Sequence, residues 1–452
     1  MLAFAAALVT GALILVEANQ EQELTMQIVY YGASYLALFS LAHLAVRKWA
    51  PYADPVILPC VALLNGLGLV MIHRIDLALE GTKVNNVLFE AKAPKQVMWT
   101  AIALILFALV LKFLSDHRTL AKYGYTFGLV GLIALVLPGV LPGFIAPTIN
   151  GAKIWLSFGG LSIQPGEFAK ILLMVFFAAF LVQKRDLFTA AGRRVLGLDL
   201  PRARDLGPLI AAWAVGVSIM VLQKDLGSSL LFFGSVLVML YVATERAAWV
   251  VLGLIMFSGG ALMAWKLFIH VQTRVQNWLD PFLDPSGDGY QIVQSLFGLG
   301  TGGIFGAGLG GGRPEIIPEA NTDFITAAIG EELGFVGLSA MLLIYALFAM
   351  RGLRSAIAVR DTFGKLLGGG LSFALCFQVF IIVGGVTKLI PMTGITAPFL
   401  SSGGSSLLAN YILVALLLRI SDAARGPKVA AKPKAPQPKI ADQYTVMVER
   451  PK

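Results

Sequence analysis

Twelve stretches of apolar residues can be marked along the chain, near 2–16, 27–46, 54–73, 97–114, 124–146, 167–183, 207–222, 226–243, 247–269, 324–350, 366–390 and 404–420. Most are long enough to cross about 30 Å of hydrocarbon as helices, although 2–16, 207–222 and 404–420 fall short of the usual 17–25 residues. None shows the period-2 alternation of a barrel strand, so the spans are read as helices. The pattern predicts an all-α polytopic membrane protein with about 12 transmembrane helices. The N-terminal run MLAFAAALVTGALILVEA lacks a basic leader and is followed by further spans, so it reads as the first of these helices rather than a signal peptide.

Composition agrees. Of 452 residues, 57% are hydrophobic and 13% charged, against about 25% charged in soluble domains. So few charges cannot cover a water-facing surface. The net charge of +9 does not point to nucleic acid, because the cations sit between apolar spans. Arg47 and Lys48 follow the second span, and Lys112, Arg118 and Lys122 follow the fourth. Lys184, Arg185, Arg193, Arg194, Arg202 and Arg204 follow the sixth, Arg246 the eighth, and Arg351, Arg354, Arg360 and Lys365 the tenth. Basic residues thus recur after every second span, which predicts that both termini lie in the cytoplasm of a multi-pass protein. The segments 147–166, 270–323 and 388–403 then lie outside, and the Pro/Lys-rich stretch 425–452 reads as a disordered cytoplasmic tail. Cys60 and Cys376 fall in apolar runs, and the four histidines are scattered, so no disulfide framework or metal site is expected.

Four polar clusters fall on the outer side. The segment 270–323 carries Arg274, Trp278, Asp280, Asp284, Asp288, Gln291 and a glycine-dense tract, and closes with Asp323. Its GLGTGG run fits G-x-G-x-x-G, but no strand precedes it, so a dinucleotide site is rejected. The glycines instead permit close backbone approach, either to a polar head group or back into the bundle. Asp323 is either a helix cap or a general base; Glu331 and Glu332 are either partners of Arg and backbone groups or part of a site. Glu167 and Lys170 are three residues apart on one helix face, as a salt bridge or a site. Gln223-Lys224-Asp225 is a turn or a site, and Lys388 to Ser406, with Ser401 and Ser405, has the Pro/Gly content of broken helices lining a cavity.

Several of these segments share a resemblance. G-A-K-I-W-L (151–156), Q-P-G-E-F-A-K (164–170), Q-K-D-L-G-S-S (223–229) and D-P-x-x-D-P-x-G-x-G-Y-Q (280–291) are similar to motifs of the SEDS family of RodA and FtsW. So are P-E-A-N-T-D-F (318–324), E-E-L-G-F-V-G (331–337) and P-M-T-G-I-T-A-P-F-L-S-S-G-G-S-S (391–406), in order over roughly 55–420. Lys224, Ser402 and Ile382 depart from the usual pattern. The resemblance implies a ten-helix core at 51–424 preceded by two added helices at 1–50. It implies an inner-membrane peptidoglycan glycosyltransferase that polymerises lipid II beside a class B penicillin-binding protein, with closer similarity to RodA. On this basis Asp323 is the expected catalytic base. Glu167, Lys170, Asp225, Trp278, Gln291, Lys388, Ser401 and Ser405 are the expected substrate contacts. The cofactor is left open, with a divalent cation such as Mg²⁺ one source of charge for the departing pyrophosphate beside Lys170, Lys388 or Arg274. A flippase of the same fold, an FtsW-type division polymerase and a non-enzymatic scaffold remain alternatives.

Overall fold

The computed structural model describes residues 1–427, apart from 21–24, 85–86, 150, 160, 185–193, 196–197, 200–206, 208–210, 212–213, 216–217 and 220–222. Its helices are α1 (Leu2–Asn19), α2 (Met26–Trp49), α3 (Ile57–Leu79), α4 (Ala93–Phe113), α5 (Gly124–Val140), α6 (Pro165–Gln183) and α7 (Leu226–Thr244). They continue as α8 (Ala247–Leu267), α9 (Ile269–Leu279), α10 (Tyr290–Gly302), α11 (Ile325–Ala358), α12 (Thr362–Val386) and α13 (Gly404–Arg425). Among the described residues, ten of these are long and apolar enough to cross a membrane, and α5 is a shorter apolar helix. The span expected at 207–222 lies largely outside the described residues. The one expected at 124–146 stops at Val140, where Leu141 turns extended just past Pro138.

Helices α3 and α13 are almost wholly enclosed, whereas α8 leaves most of its surface bare. α13 packs against α4, α6, α11 and α12, and α1 packs on both α2 and α3. Polar hooks close one end of the bundle. Arg419 donates to the carbonyls of Trp49 (2.6 Å) and Leu111, and Arg425 pairs with the buried Asp54. Asp361 caps α12 through the amide of Gly364 (2.7 Å) and also meets His117 Nε2 (2.8 Å).

The segment 270–323, expected as one large outer loop, is not an open linker. It holds α9, α10 and two short 3₁₀ turns at Pro281–Leu283 and Pro314–Ile316. α11 is also two pieces, because Gly334 has φ 65° and ψ −167° inside it. A helix broken at membrane depth leaves amides and carbonyls without partners, which hydrocarbon penalises unless protein supplies them. The glycine tract does so. Phe335 and Val336 donate to the carbonyls of Gly303 (2.9 Å) and Ile304 (3.0 Å), while Ala307 and Gly308 donate to those of Glu331 (3.0 Å) and Glu332 (2.9 Å). Such backbone-to-backbone contact requires glycine: a Cβ on Gly302 would stand 2.0 Å from the carbonyl oxygen of Gly330. Of the two uses foreseen for these glycines, the return into the bundle is the one observed.

Candidate functional site

The break in α11 leaves a short half-helix, residues 325–333, whose Ile325, Ala327, Ala328 and Ile329 are fully buried. Asp323 immediately precedes it. The N-cap position falls on Phe324, so Asp323 stands just outside the helix. Its carboxylate is therefore not consumed by capping, the alternative left open by the sequence. Ser401 and Ser402 hold the backbone that leads to it. Ser401 Oγ donates to the Thr322 carbonyl (2.6 Å) and accepts from the Ala397 amide (2.8 Å), while the Ser402 amide donates to the Asn321 carbonyl (2.7 Å). Lys92 Nζ donates to Asn321 Oδ1 (3.0 Å) from the start of α4.

The second carboxylate, Asp225, caps α7 by accepting from the Ser228 amide (3.0 Å). It is aimed by Lys224, whose φ of 65° is the left-handed conformation of a tight turn. Arg274, on α9, extends toward both aspartates, its guanidinium donating to the carbonyls of Thr393 (3.0 Å) and Met392 (3.4 Å). A Cβ built on Gly394 would lie 3.4 Å from Asp323 Oδ2 and 4.0 Å from Arg274 Nη2, so both groups flank the side of Gly394 from which a side chain would project. The result is a carboxylate–guanidinium–carboxylate arrangement drawn from three distant parts of the chain.

Electrostatics follow from this placement. Burial, more than any other factor, pushes Asp323 up from 3.8 to about 6; Glu319 and Asp225 push the same way, while Arg274 and Thr322 oppose them. Burial also raises Asp225, helped by Glu167 and resisted by Ser228 and Arg274. Burial lowers Arg274, and the two aspartates pull it back toward its charged form.

Glu167 and Lys170 form an ion pair (2.6 Å) in the first turns of α6. Lys170 Nζ also donates to Gln378 Oε1 (3.2 Å), whose amide donates to the Thr396 carbonyl (2.8 Å). Ser405 Oγ accepts from the Gln164 amide (2.9 Å), which ties α13 to the start of α6. A small cleft beside Asp225 is lined by Leu135, Pro138, Ile154, Gln164, Gln223 and Ser228. The other candidates sit apart from the aspartates. Trp278 Nε1 donates to the carbonyl of Lys388 (3.2 Å), and Gln291 is exposed at the start of α10. Glu331 and Glu332 bind structure: Glu332 pairs with the buried Arg74 (2.8 Å) and accepts from the Gly310 amide (3.2 Å), and Glu331 accepts from the Arg313 amide (2.7 Å).

Sequence reasoning passed over Gln378, Glu319 and Asn321. Gln378 had a signal, an amide inside an apolar span; Glu319 and Asn321 lie in the P-E-A-N-T-D-F motif, but their contacts with Asp323 and Lys92 come from the fold of 314–324. Among the described residues, no group of three or more His, Cys, Asp or Glu could hold a metal ion. The positive charge between the aspartates comes from Arg274.

With this geometry established, similarity to known proteins becomes informative. Residues 54–426 match the FtsW/RodA/SpoVE profile of cell cycle proteins. Peptidoglycan glycosyltransferase RodA of Mycobacterium tuberculosis is 56% identical over 453 aligned residues, covering 100% of this chain and 95% of that protein. Stage V sporulation protein E of Bacillus subtilis is 35% identical over 384 residues, covering 84% of this chain and 99% of its own. A solved chain from a study of how a peptidoglycan synthase complex coordinates polymerization and crosslinking has a TM-score of 0.56 and 26% identity, covering 86% of this chain and 95% of that one. The chain belongs to the FtsW/RodA/SpoVE family of cell cycle proteins.

Proposed function

We propose that this chain is a RodA-type peptidoglycan glycosyltransferase that polymerises lipid II in the bacterial cytoplasmic membrane, with Asp323 as general base. The single observation that carries the reading is a partly buried carboxylate, raised to about 6, standing beside a fixed guanidinium at the head of a half-helix. A base is most useful when its pKa lies near the working pH. At 3.8 Asp323 would be too weak; near 6 it is stronger and still ionised at neutral pH.

In this mechanism Asp323 takes the proton of the acceptor sugar hydroxyl as its oxygen bonds to C1 of the donor. The bond from C1 to the lipid pyrophosphate breaks on the opposite face, inverting an α-linked donor to a β-linked product, and the pyrophosphate leaves with its lipid. Arg274 and the Glu167-paired Lys170 supply charge for the departing group, a kind of stabilisation that is strongest in a fixed, dry site. Ser401 and Ser405 act through the backbone they hold. Trp278, Gln291 and Lys388 serve the outer part of the substrate. Both lipid-linked sugars stay anchored while they react, which supplies orientation. The two helices within 1–50 are an addition to a core at 51–424, both termini face the cytoplasm, and a class B penicillin-binding protein crosslinks the product. Residues 428–452 of the proposed tail lie outside the described residues.

The test uses purified protein in proteoliposomes with fluorescent lipid II. Glycan polymer is expected from wild type and not from Asp323→Asn. Lipid translocation without polymer, or unchanged polymer in the variant, overturns the assignment.

A further inference from the structure

The segment 270–323 was expected to lie outside the membrane, yet its flank is strongly apolar. Phe305 is 82% exposed, and Ile304, Phe297, Leu283 and Phe282 are each more than half exposed. Single apolar side chains on a surface need no explanation; a contiguous set does. Ile304 and Phe305 do not stand alone. The backbone bonds from Phe335 to Gly303 and from Val336 to Ile304 fix them beside the first residues of the longer half of α11. Phe335 and Val336 are themselves 68% and 50% exposed, at the head of a span that continues through Leu343, Met350 and Ile357, all bare. The apolar apron of the loop is therefore continuous with the lipid-facing flank of a transmembrane helix.

We infer that α10 and the turn 303–306 are re-entrant, dipping into the outer leaflet, so that acyl chains cover Phe297, Ile304 and Phe305. Three features suit hydrocarbon. The carbonyls of Gly303 and Ile304 are paired with the broken backbone of α11, and the amides of Gly303 and Gly306 with the end of α10, which lowers the cost of leaving water. The side chains on this flank are uncharged. The acidic residues Asp280, Asp284 and Asp288 lie at the opposite, N-terminal end of α10, where the head groups begin; Phe282 and Phe297 bridge that boundary with ring centroids 6.2 Å apart. The consequence is functional. The half-helix headed by Asp323 packs directly on α10, so the element that supports the carboxylate is held at the depth of the leaflet in which lipid-anchored sugars would arrive.

The proposal rests on the membrane topology and not on the catalytic role of Asp323, and its test is separate. The full-length protein with Cys60→Ala and Cys376→Ser is placed in nanodiscs of phosphatidylglycerol and phosphatidylethanolamine. It is spin-labelled in turn at Asp288→Cys, Phe297→Cys and Phe305→Cys. Power saturation compares collisions with oxygen, which concentrates in hydrocarbon, and with a water-soluble nickel chelate. The oxygen-to-nickel ratio is expected to rise several-fold from 288 to 297 and again to 305, with Ile304→Cys repeating the value at 305. A label at 305 that collides freely with nickel places the apron in water and overturns the inference. A label at 305 shielded from both reagents shows a protein cover, and overturns it too. Asp323→Asn should leave the profile unchanged, so failure here and failure of the catalytic reading are distinguishable.

Discussion

The placement of Arg274 between two carboxylates makes a signed prediction about pH. Replacing it by glutamine removes the one cation that holds Asp323 down, while Glu319 and Asp225 go on pushing it up. The positions around Gly394 keep Asp323 Oδ2 and Arg274 Nη2 within at most about 7 Å of each other. At an effective dielectric of about 20, a unit charge at that distance is worth about 2 kcal/mol, or roughly 1.5 pH units. A general base works only when ionised, so the rate falls on the acid side with a midpoint at its pKa. In wild type that midpoint is expected near 6. In Arg274→Gln it should move up by about 1–1.5 units. The assay is initial rate of lipid II polymerisation in proteoliposomes from pH 5 to 9, each profile normalised to its own plateau so that lost pyrophosphate binding does not disguise the shift. Asp225→Asn supplies the opposite sign. Removing that like charge should move the midpoint to lower pH, because Asp225 raises Asp323. If the two variants shift the limb in the same direction, or neither moves it, Asp323 is not the group being titrated and the electrostatic argument fails.

Three further outcomes follow from particular contacts. Asp323→Asn removes a carboxylate whose rise from 3.8 to about 6 corresponds to about 3 kcal/mol of folded-state cost when ionised; that cost is absent below pH 4 and complete above pH 6. The variant should therefore melt higher than wild type at pH 7.5 and at the same temperature at pH 4, measured by intrinsic fluorescence in detergent. Glu332→Ala removes the nearer of the two carboxylates that meet the buried Arg74 guanidinium, leaving Glu315 (3.4 Å) and the Gly312 carbonyl (2.6 Å), and should cost about 1–3 kcal/mol, seen as a fall in melting temperature. Gly302→Ala would force a methyl against the Gly330 carbonyl; overpacking of that kind costs about 1–3 kcal/mol, and proteolysis of 303–316 should accelerate while Gly300→Ala, with open space around it, leaves the rate unchanged.

What the chain revealed in advance depended on whether a signal was local. Ten membrane helices were legible because twenty apolar residues announce a span regardless of their neighbours. The Glu167–Lys170 pair was legible because helical spacing alone brings the residues together. The break at Gly334 was not. Residues 324–350 read as one continuous span, since a glycine in an apolar run does not disclose its φ, and the bonds that make the break tolerable come from thirty residues upstream. For the same reason the outer segment looked like a loop: α10 is short, and its burial against α11 depends on tertiary contact. Ser401 and Ser405 were singled out as polar residues in a Pro/Gly-rich segment, but only the fold shows that their hydroxyls are engaged with backbone at Thr322, Ala397 and Gln164.

The broken helix also explains how one carboxylate can be partly buried without being neutralised. Bending at Gly334 lets the half-helix 325–333 fold beside the enclosed α3, where Arg74 grips Glu332 from the far end. The near end is held by Ser401, whose hydroxyl donates to the carbonyl of Thr322, and its neighbours Asn321 and Phe324 are buried. A fully paired partner would return its pKa to the usual carboxylate range and weaken it as a base. Arg274 stops short of that, because its hydrogen bonds go to the carbonyls of Met392 and Thr393, and its charge is shared with Asp225. The basicity of Asp323 therefore depends on a guanidinium held near but not against it, and both groups flank Gly394, a residue with φ 74° that other side chains rarely adopt.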